Sequence, residues 1–196
     1  YLVADRIVLP EKDWQYFSEK PILMPHCYQI NSHQTVHKTI SRLDSGLPAS
    51  GFVFCSFTNT YKIEPIMFER WMNILKGTPG SVLWLCVNNA LAERNLHREA
   101  EARDIAPERL IFAPVVAQDE HLARLSLADL ALDTRVYNGH TTTSDALWAG
   151  VPVLTVRGRH FASRVSESIL SAAGLSELVA SDLDAFQAQA IEVAAD

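Results

Sequence analysis

From Phe52 onward, short unbroken apolar runs alternate with longer segments whose apolar residues return every three or four positions. "FVFCSF" precedes "PIMFERWMNILK", "SVLWLCV" precedes "NALAERNLHREAEARD", and "RLIFAP" precedes "DEHLARLSL". "DLALD" then leads into "TTSDALWAG", and "PVLTV" into "FASRVSESILSAAG". Continuous apolar runs suit strands covered on both faces, and the helical spacing suits amphipathic helices packed against them. Five such pairs imply crossover connections, and crossovers make neighbouring strands parallel. The pattern predicts an α/β fold: a Rossmann-like parallel sheet with helices on both faces. A final helix over roughly Asp182 to Ala194 is expected to pack back on the outside.

The pattern is different before Phe52. The apolar run Leu2 to Leu9, the aromatic stretch "EKDWQYFSEK" and "PILMPHCYQI" read as two short extended pieces around a turn. "NSHQTVHKTISRLDSGLPAS" is polar and turn-rich and marks a linker, dividing the chain into residues 1–48 and 49–196. Trp14, Tyr16 and Phe17 read as packing, and Trp71, Trp84 and Trp148 as core.

Composition narrows the function. The chain of 196 residues is 48% hydrophobic, enough to bury a sizeable core. Its net charge of −6 gives no electrostatic case for binding nucleic acid. No stretch reaches the roughly 20 apolar residues of a membrane span, and the start lacks signal-peptide character. A cytoplasmic setting is the expectation. Cys27, Cys55 and Cys86 lack any CxxC spacing and read as reduced core thiols. The chain opens on the apolar run "YLVADRIVLP" without an initiator methionine, which suggests a fragment of something longer.

Three polar clusters follow predicted strands, where open α/β sheets bind ligands: Thr58 to Lys62, Pro114 to His121, and "YNGHTT" from Tyr137. Thr141 and Thr142 at a helix start offer hydroxyls and N–H groups to an anion, and Gly139 permits close backbone approach. Asp145 is spaced to accept from ribose hydroxyls, and Lys62 supplies a compact charge for a diphosphate. Each residue also has a plainer reading. The threonines can cap a helix, Lys62 can be a solvated surface residue, and His121 and His140 can be satisfied structural histidines. Asp145 can be a helix-dipole partner, and Asn59 a turn former. The shared placement at strand ends favours a nucleotide. GxGxxG, GxxxxGK[ST] and HExxH are all missing. His33 and His37 are spaced i, i+4 but lack an acidic third ligand nearby, so no metal site is expected.

"CSFTNTYKIEP", "WMNILKGTPGSVLWL", "ERLIFAPVV", "DEHLARLSLADLALDT", "NGHTTTSDALWAGVPVLT" and "ASRV" together resemble the carboxyl-terminal catalytic lobe of the O-linked N-acetylglucosamine transferases. "YFSEKPILMPH" resembles the end of that family's amino-terminal catalytic lobe. The resemblance implies a GT-B glycosyltransferase with residues 49–196 as the UDP-sugar-binding lobe and residues 1–48 as the end of the preceding lobe plus linker. No metal or cofactor is implied beyond the donor, UDP-GlcNAc. Lys62 would face the donor diphosphate, with Asn59 beside it. Val116 would meet uracil through its backbone near Arg124, and Gln118 stands where animal enzymes carry a ribose-contacting lysine. His121 would lie close to the nucleotide, His140, Thr141 and Thr142 would hold diphosphate and sugar, and Asp145 would take the ribose. Tyr137 replaces a cysteine that lines the N-acetyl pocket in animal relatives.

The implied reaction is inverting transfer to a Ser or Thr hydroxyl of an acceptor protein, with Lys62 stabilising the departing diphosphate. The family's histidines of the first lobe and its tetratricopeptide repeats lie upstream of Tyr1, so the fragment alone is expected to be inactive. A rival reading is GDP-fucose-dependent protein O-fucosylation. Those relatives tend to carry glycine where His140 stands and "LAK" where this chain has "TYK", which favours UDP. Transfer of a hexose from UDP is a further alternative, and a non-catalytic nucleotide-binding scaffold is the alternative from outside the enzymes.

Overall fold

A computed structural model describes residues 1–32 and 38–195; His33 and His37, the spaced histidine pair, lie outside them. The predicted alternation folds into a six-stranded sheet built from β3 (Val53–Ser56), β4 (Val82–Cys86), β5 (Leu110–Ala113), β6 (Leu130–Leu132), β7 (Val153–Val156) and β8 (Val179–Ala180). Its order is β5-β4-β3-β6-β7-β8, and every pairing is parallel. Among the described residues six α-helices follow the strands: α1 (Pro65–Gly77), α2 (Ala90–Glu101), α3 (Gln118–Leu125), α4 (Thr141–Trp148), α5 (Val165–Ala172) and α6 (Leu183–Val193).

The strands are apolar throughout because both faces are covered. Phe54, Leu83, Leu85, Leu130 and Leu154 point to one face, where α1, α2 and α6 supply Trp71, Ala100 and Phe186. Val53, Cys55, Trp84, Ala131 and Val153 point to the other, where α3, α4 and α5 supply Leu122, Ala146 and Leu170. Successive strand residues alternate between the two layers, as a two-residue period requires. The chain reverses its lateral direction after β5, so α3 crosses back to deliver β6 beside β3. The carboxyl ends of β3 and β6 therefore flank the switch point of the sheet, where such folds open a crevice.

Several expectations need correction. The apolar run from Leu2 does not continue to Leu9 as a strand: β1 stops at Ala4, because the buried Asp5 carboxylate accepts from Ile7 N and Val8 N and turns the chain. β2 (Pro21–Leu23) pairs with β1 in parallel, so a crossover containing the 3-10 turn Glu11–Tyr16 replaces a tight turn. Trp14 and Phe17 pack against this segment's core, while Tyr16 is exposed. Trp71 and Trp84 are buried, but Trp148 is 54% exposed. It falls two residues beyond buried Ala146, about 200° around the helix, and so leaves the buried stripe. All three cysteines are free, yet only Cys55 is fully buried; Cys86 ends β4 where the sheet opens to its rim. β8 was not expected, since two residues carry no readable period.

Residues 38–50 lie along the sheet. Arg42 donates to both oxygens of Asp129 at 3.0 and 3.3 Å and to Gly51 O at 2.8 Å, and Leu47 is buried. Residues 1–30 are tied to α5 by Ser168 Oγ donating to Asp5 at 2.7 Å and by the 2.7 Å ion pair of Arg164 with Asp13. Among the described residues no helix is long and apolar enough to cross a membrane.

Phe186 is wholly enclosed where α6 closes over α1 and the sheet. Phe186→Ala is expected to lower unfolding stability by about 3–5 kcal/mol, read as a reduced urea midpoint at unchanged slope.

Candidate functional site

The three polar clusters converge at the carboxyl rim of the sheet. Thr58 to Lys62 follow β3, and Asn59 O accepts from Lys62 N at 3.0 Å to begin the 3-10 turn Thr60–Lys62, which is the turn role considered for Asn59. That turn aims the Lys62 side chain across the crevice, where Nζ donates to Asn138 O at 2.9 Å. The same ammonium lies 4.0 Å from the centroid of the Tyr137 ring. Lys62 is half-buried, and burial pulls its pKa below the usual lysine value, opposed by the negative charge of Asp133. Lys62 is thus not a freely solvated surface residue.

The segment ahead of α4 is held from below. Asp133, buried at the end of β6, accepts from Thr134 N at 2.8 Å, Gly139 N at 2.7 Å and Thr155 Oγ1 at 2.7 Å. Asn138, also buried, donates Nδ2 to Thr134 O at 2.6 Å and its backbone N–H to Ala162 O at 2.9 Å. Gly139 sits against the helix start: a Cβ there would lie 2.4 Å from Thr143 Oγ1 and 2.7 Å from Thr142 Oγ1. Glycine is required by the helix's own threonines, not only by a ligand.

The capping reading of the threonines does not hold. α1, α2 and α6 begin with Glu64, Asn89 and Asp182, whose side chains accept from first-turn N–H groups. At α4 the cap position is His140, which makes no side-chain cap bond, and Thr141 is already the first helical residue. Thr143 Oγ1 lies 2.9 Å from Ser166 Oγ, whereas Thr142 Oγ1 is buried without a partner among the described residues. His140 Nε2, Thr58 Oγ1 and Ser56 Oγ are likewise buried and unpartnered. An unsatisfied buried polar atom costs about 1–3 kcal/mol, and these four at one rim give it polar groups that a bound molecule could satisfy. First-turn N–H groups and the Lys62 ammonium give this rim a positive character that suits an anion.

The second cluster closes the other side. Arg124, buried on α3, donates to Pro114 O at 2.7 Å, lies 3.3 Å from His121 Nδ1 and stacks over the Phe57 ring at 4.9 Å. His121 Nε2 stands 4.0 Å from Asp145 Oδ2, which joins α3 to α4. Asp145 is buried, five residues into α4, past the first turn where a dipole partner would stand. Val116, Pro114, Arg124, Trp84 and Phe112 line a cavity of about 340 Å³ beyond β5. Gln118 opens α3 and is exposed, as are Asn59 and Thr141. The structure thus brings Lys62, His140 and Thr142 to one rim and His121, Arg124 and Asp145 to its flank. Asn59, Thr141 and Gln118 border the opening without being enclosed by it. Asp133, Asn138 and Ser166 carry no assigned role in the sequence pattern: Asn138 falls within the polar cluster "YNGHTT", and Asp133 is signalled by the acidic residue ending the apolar run "DLALD". Among the described residues no group of three His, Cys, Asp or Glu side chains is placed to hold a metal ion.

Residues 37–196 match glycosyl transferase family 41. The chain is 37% identical over 202 residues to a probable UDP-N-acetylglucosamine–peptide N-acetylglucosaminyltransferase, SEC, of Arabidopsis thaliana, covering 99% of this chain and 21% of that protein. It is 39% identical over 156 residues to the UDP-N-acetylglucosamine–peptide N-acetylglucosaminyltransferase of Caenorhabditis elegans, covering 80% of this chain and 14% of that one. Among solved structures, a mutant of the Thermobaculum terrenum O-GlcNAc transferase superposes on all of this chain, 37% of its own, with a TM-score of 0.89 and 31% identity. The chain therefore spans about a fifth or less of the curated relatives named here.

Burial lowers the pKa of both His121 and His140 from the ordinary 6.5, aided by Arg124 for the first and Lys62 for the second. As pH falls through the ordinary imidazole value, the unfolded chain takes up protons that the folded site refuses, so this contribution to stability is present above that value and lost below it. Urea midpoints are expected to fall between pH 7.5 and 5.5, and His121→Asn with His140→Asn is expected to flatten that dependence.

Proposed function

The chain belongs to glycosyl transferase family 41, and from that premise we propose that its rim is the donor-binding side of a protein O-GlcNAc transferase with a GT-B fold. The observation that carries the reading is the meeting of Lys62, from the loop after β3, with the 137–142 segment ahead of α4, through the 2.9 Å bond to Asn138 O. A cation, an uncapped helix start and the unpartnered His140 Nε2 and Thr142 Oγ1 form a cradle suited to a diphosphate. The relatives named for UDP-N-acetylglucosamine support that donor.

In this reading the cavity beyond β5 takes the base, with the Val116 backbone and Arg124 at its edge. His121 and Asp145 border the ribose, with Gln118 and Asn59 at the outer margin. Thr141 and Thr142 present hydroxyls and N–H groups to the phosphates. A Ser or Thr hydroxyl of the acceptor protein attacks the anomeric carbon from the face opposite the diphosphate. The new C–O bond forms as the bond to the β-phosphate oxygen breaks, inverting the centre. UDP departs with the electron pair, and the hydroxyl proton goes to a group of the upstream lobe. Lys62 stabilises charge growing on the leaving oxygen without a metal, and its desolvation strengthens that effect. Residues 1–48 end the upstream lobe and 49–196 form the donor lobe; in the complete, cytoplasmic protein, tetratricopeptide repeats recruit acceptors.

Lys62→Ala in the complete protein is expected to cut turnover by about 10²-fold or more while leaving the circular dichroism and melting of the protein unchanged; turnover near wild type would overturn the assignment. Calorimetric titration of the complete protein is expected to show UDP binding well above GDP. A GDP preference would support the fucosyl alternative, and binding of neither would support a scaffold.

A further inference from the structure

We infer that Tyr137 is a positioning residue that holds the Lys62 ammonium against the donor diphosphate. The inference rests on the reading of Lys62 just given, but its geometry is independent of the donor's identity. A lysine on a flexible four-carbon stem wanders unless something confines its head group. Here two fixed surfaces do so. One is the Asn138 carbonyl, 2.9 Å from Nζ, on a residue locked through Thr134 O, Ala162 O and the N–H of Ser166. The other is the face of the Tyr137 ring, 4.0 Å from Nζ to its centroid.

The residue that carries the ring is itself anchored. Thr134 Oγ1 donates to Tyr137 O at 2.6 Å, and the ring leans on His140 with centroids 5.1 Å apart. Yet Tyr137 is 40% exposed at the rim, and its ring meets the Lys62 ammonium and the His140 ring. A ring face attracts an ammonium and excludes water from one side of it, which leaves the remaining N–H directions for a ligand at the rim. Loss of the ring frees the head group to swing and rehydrate, whereas phenylalanine preserves the face and removes only the hydroxyl.

Two measurements on the complete protein test this. In competitive amine labelling without any ligand, read by mass spectrometry, Tyr137→Leu is expected to raise Lys62 labelling severalfold and Tyr137→Phe to leave it unchanged. In calorimetric titration with UDP, Tyr137→Leu is expected to weaken binding about fivefold to tenfold and Tyr137→Phe by less than about twofold. In a Lys62→Ala background, Tyr137→Leu is expected to add almost nothing, because the two residues act as one unit. Unchanged labelling in Tyr137→Leu, equal losses of UDP affinity in both backgrounds, or a Phe variant as impaired as Leu would each overturn the inference. Altered labelling together with UDP binding that ignores Lys62→Ala would uphold the positioning role and instead reject the donor reading.

Discussion

The carboxylate of Asp133 ends β6 wholly inside the protein, and burial pushes its pKa upward, against the donors that surround it. Those donors are what makes a charge tolerable there: the N–H groups of Thr134 and Gly139 and the hydroxyl of Thr155. By gathering them, the carboxylate fixes both ends of the loop that runs from Thr134 to Gly139. The loop in turn sets where Asn138 O and the Tyr137 ring stand, and so where Lys62 can rest. α4 begins where it does because Gly139 is pinned one residue before the cap. An anionic anchor beneath the loop also balances the Lys62 cation above it, which sustains a half-buried lysine that pairs directly with no carboxylate among the described residues.

Stability and function pull apart along this rim. α1, α2 and α6 are closed by side-chain caps, whereas α3, α4 and α5 are not, and beside the start of α4 lie buried polar atoms that find no partner among the described residues. Such local violations are expected where a fold is shaped for a ligand and supported elsewhere. The support is visible in the two-sided core, in the Thr143 and Ser166 hydroxyl pair, and in the ties of residues 1–30 to α5.

The main sheet was legible in the chain because strands covered on both faces must be apolar throughout, and few other patterns repeat with amphipathic segments between them. The polar clusters were legible for a related reason: Lys62, His121 and His140 interrupt that pattern at the ends of strands. Other features had no local signature. Ala4 ends β1 because Asp5 turns the backbone, which a count of apolar residues does not register. Trp148 looked like core until the helix's angular order placed it on the outer side. Whether the threonines cap α4 had no local signature either: the cap position falls on His140, one residue earlier, so Thr141 already stands inside the helix.

Periodicity by itself determined the class of the fold, the parallel direction of its crossovers and the neighbourhood in which chemistry would gather, since each of these follows from where apolar residues recur. Tertiary structure alone decided which groups meet. The pairing of Lys62 with Tyr137 and Asn138 joins residues 75 and 76 positions apart. The buried post of Asp133 depends on strand order, not on any neighbour in the chain. A periodic pattern records burial along one element, whereas a contact between two loops depends on how every intervening element is stacked.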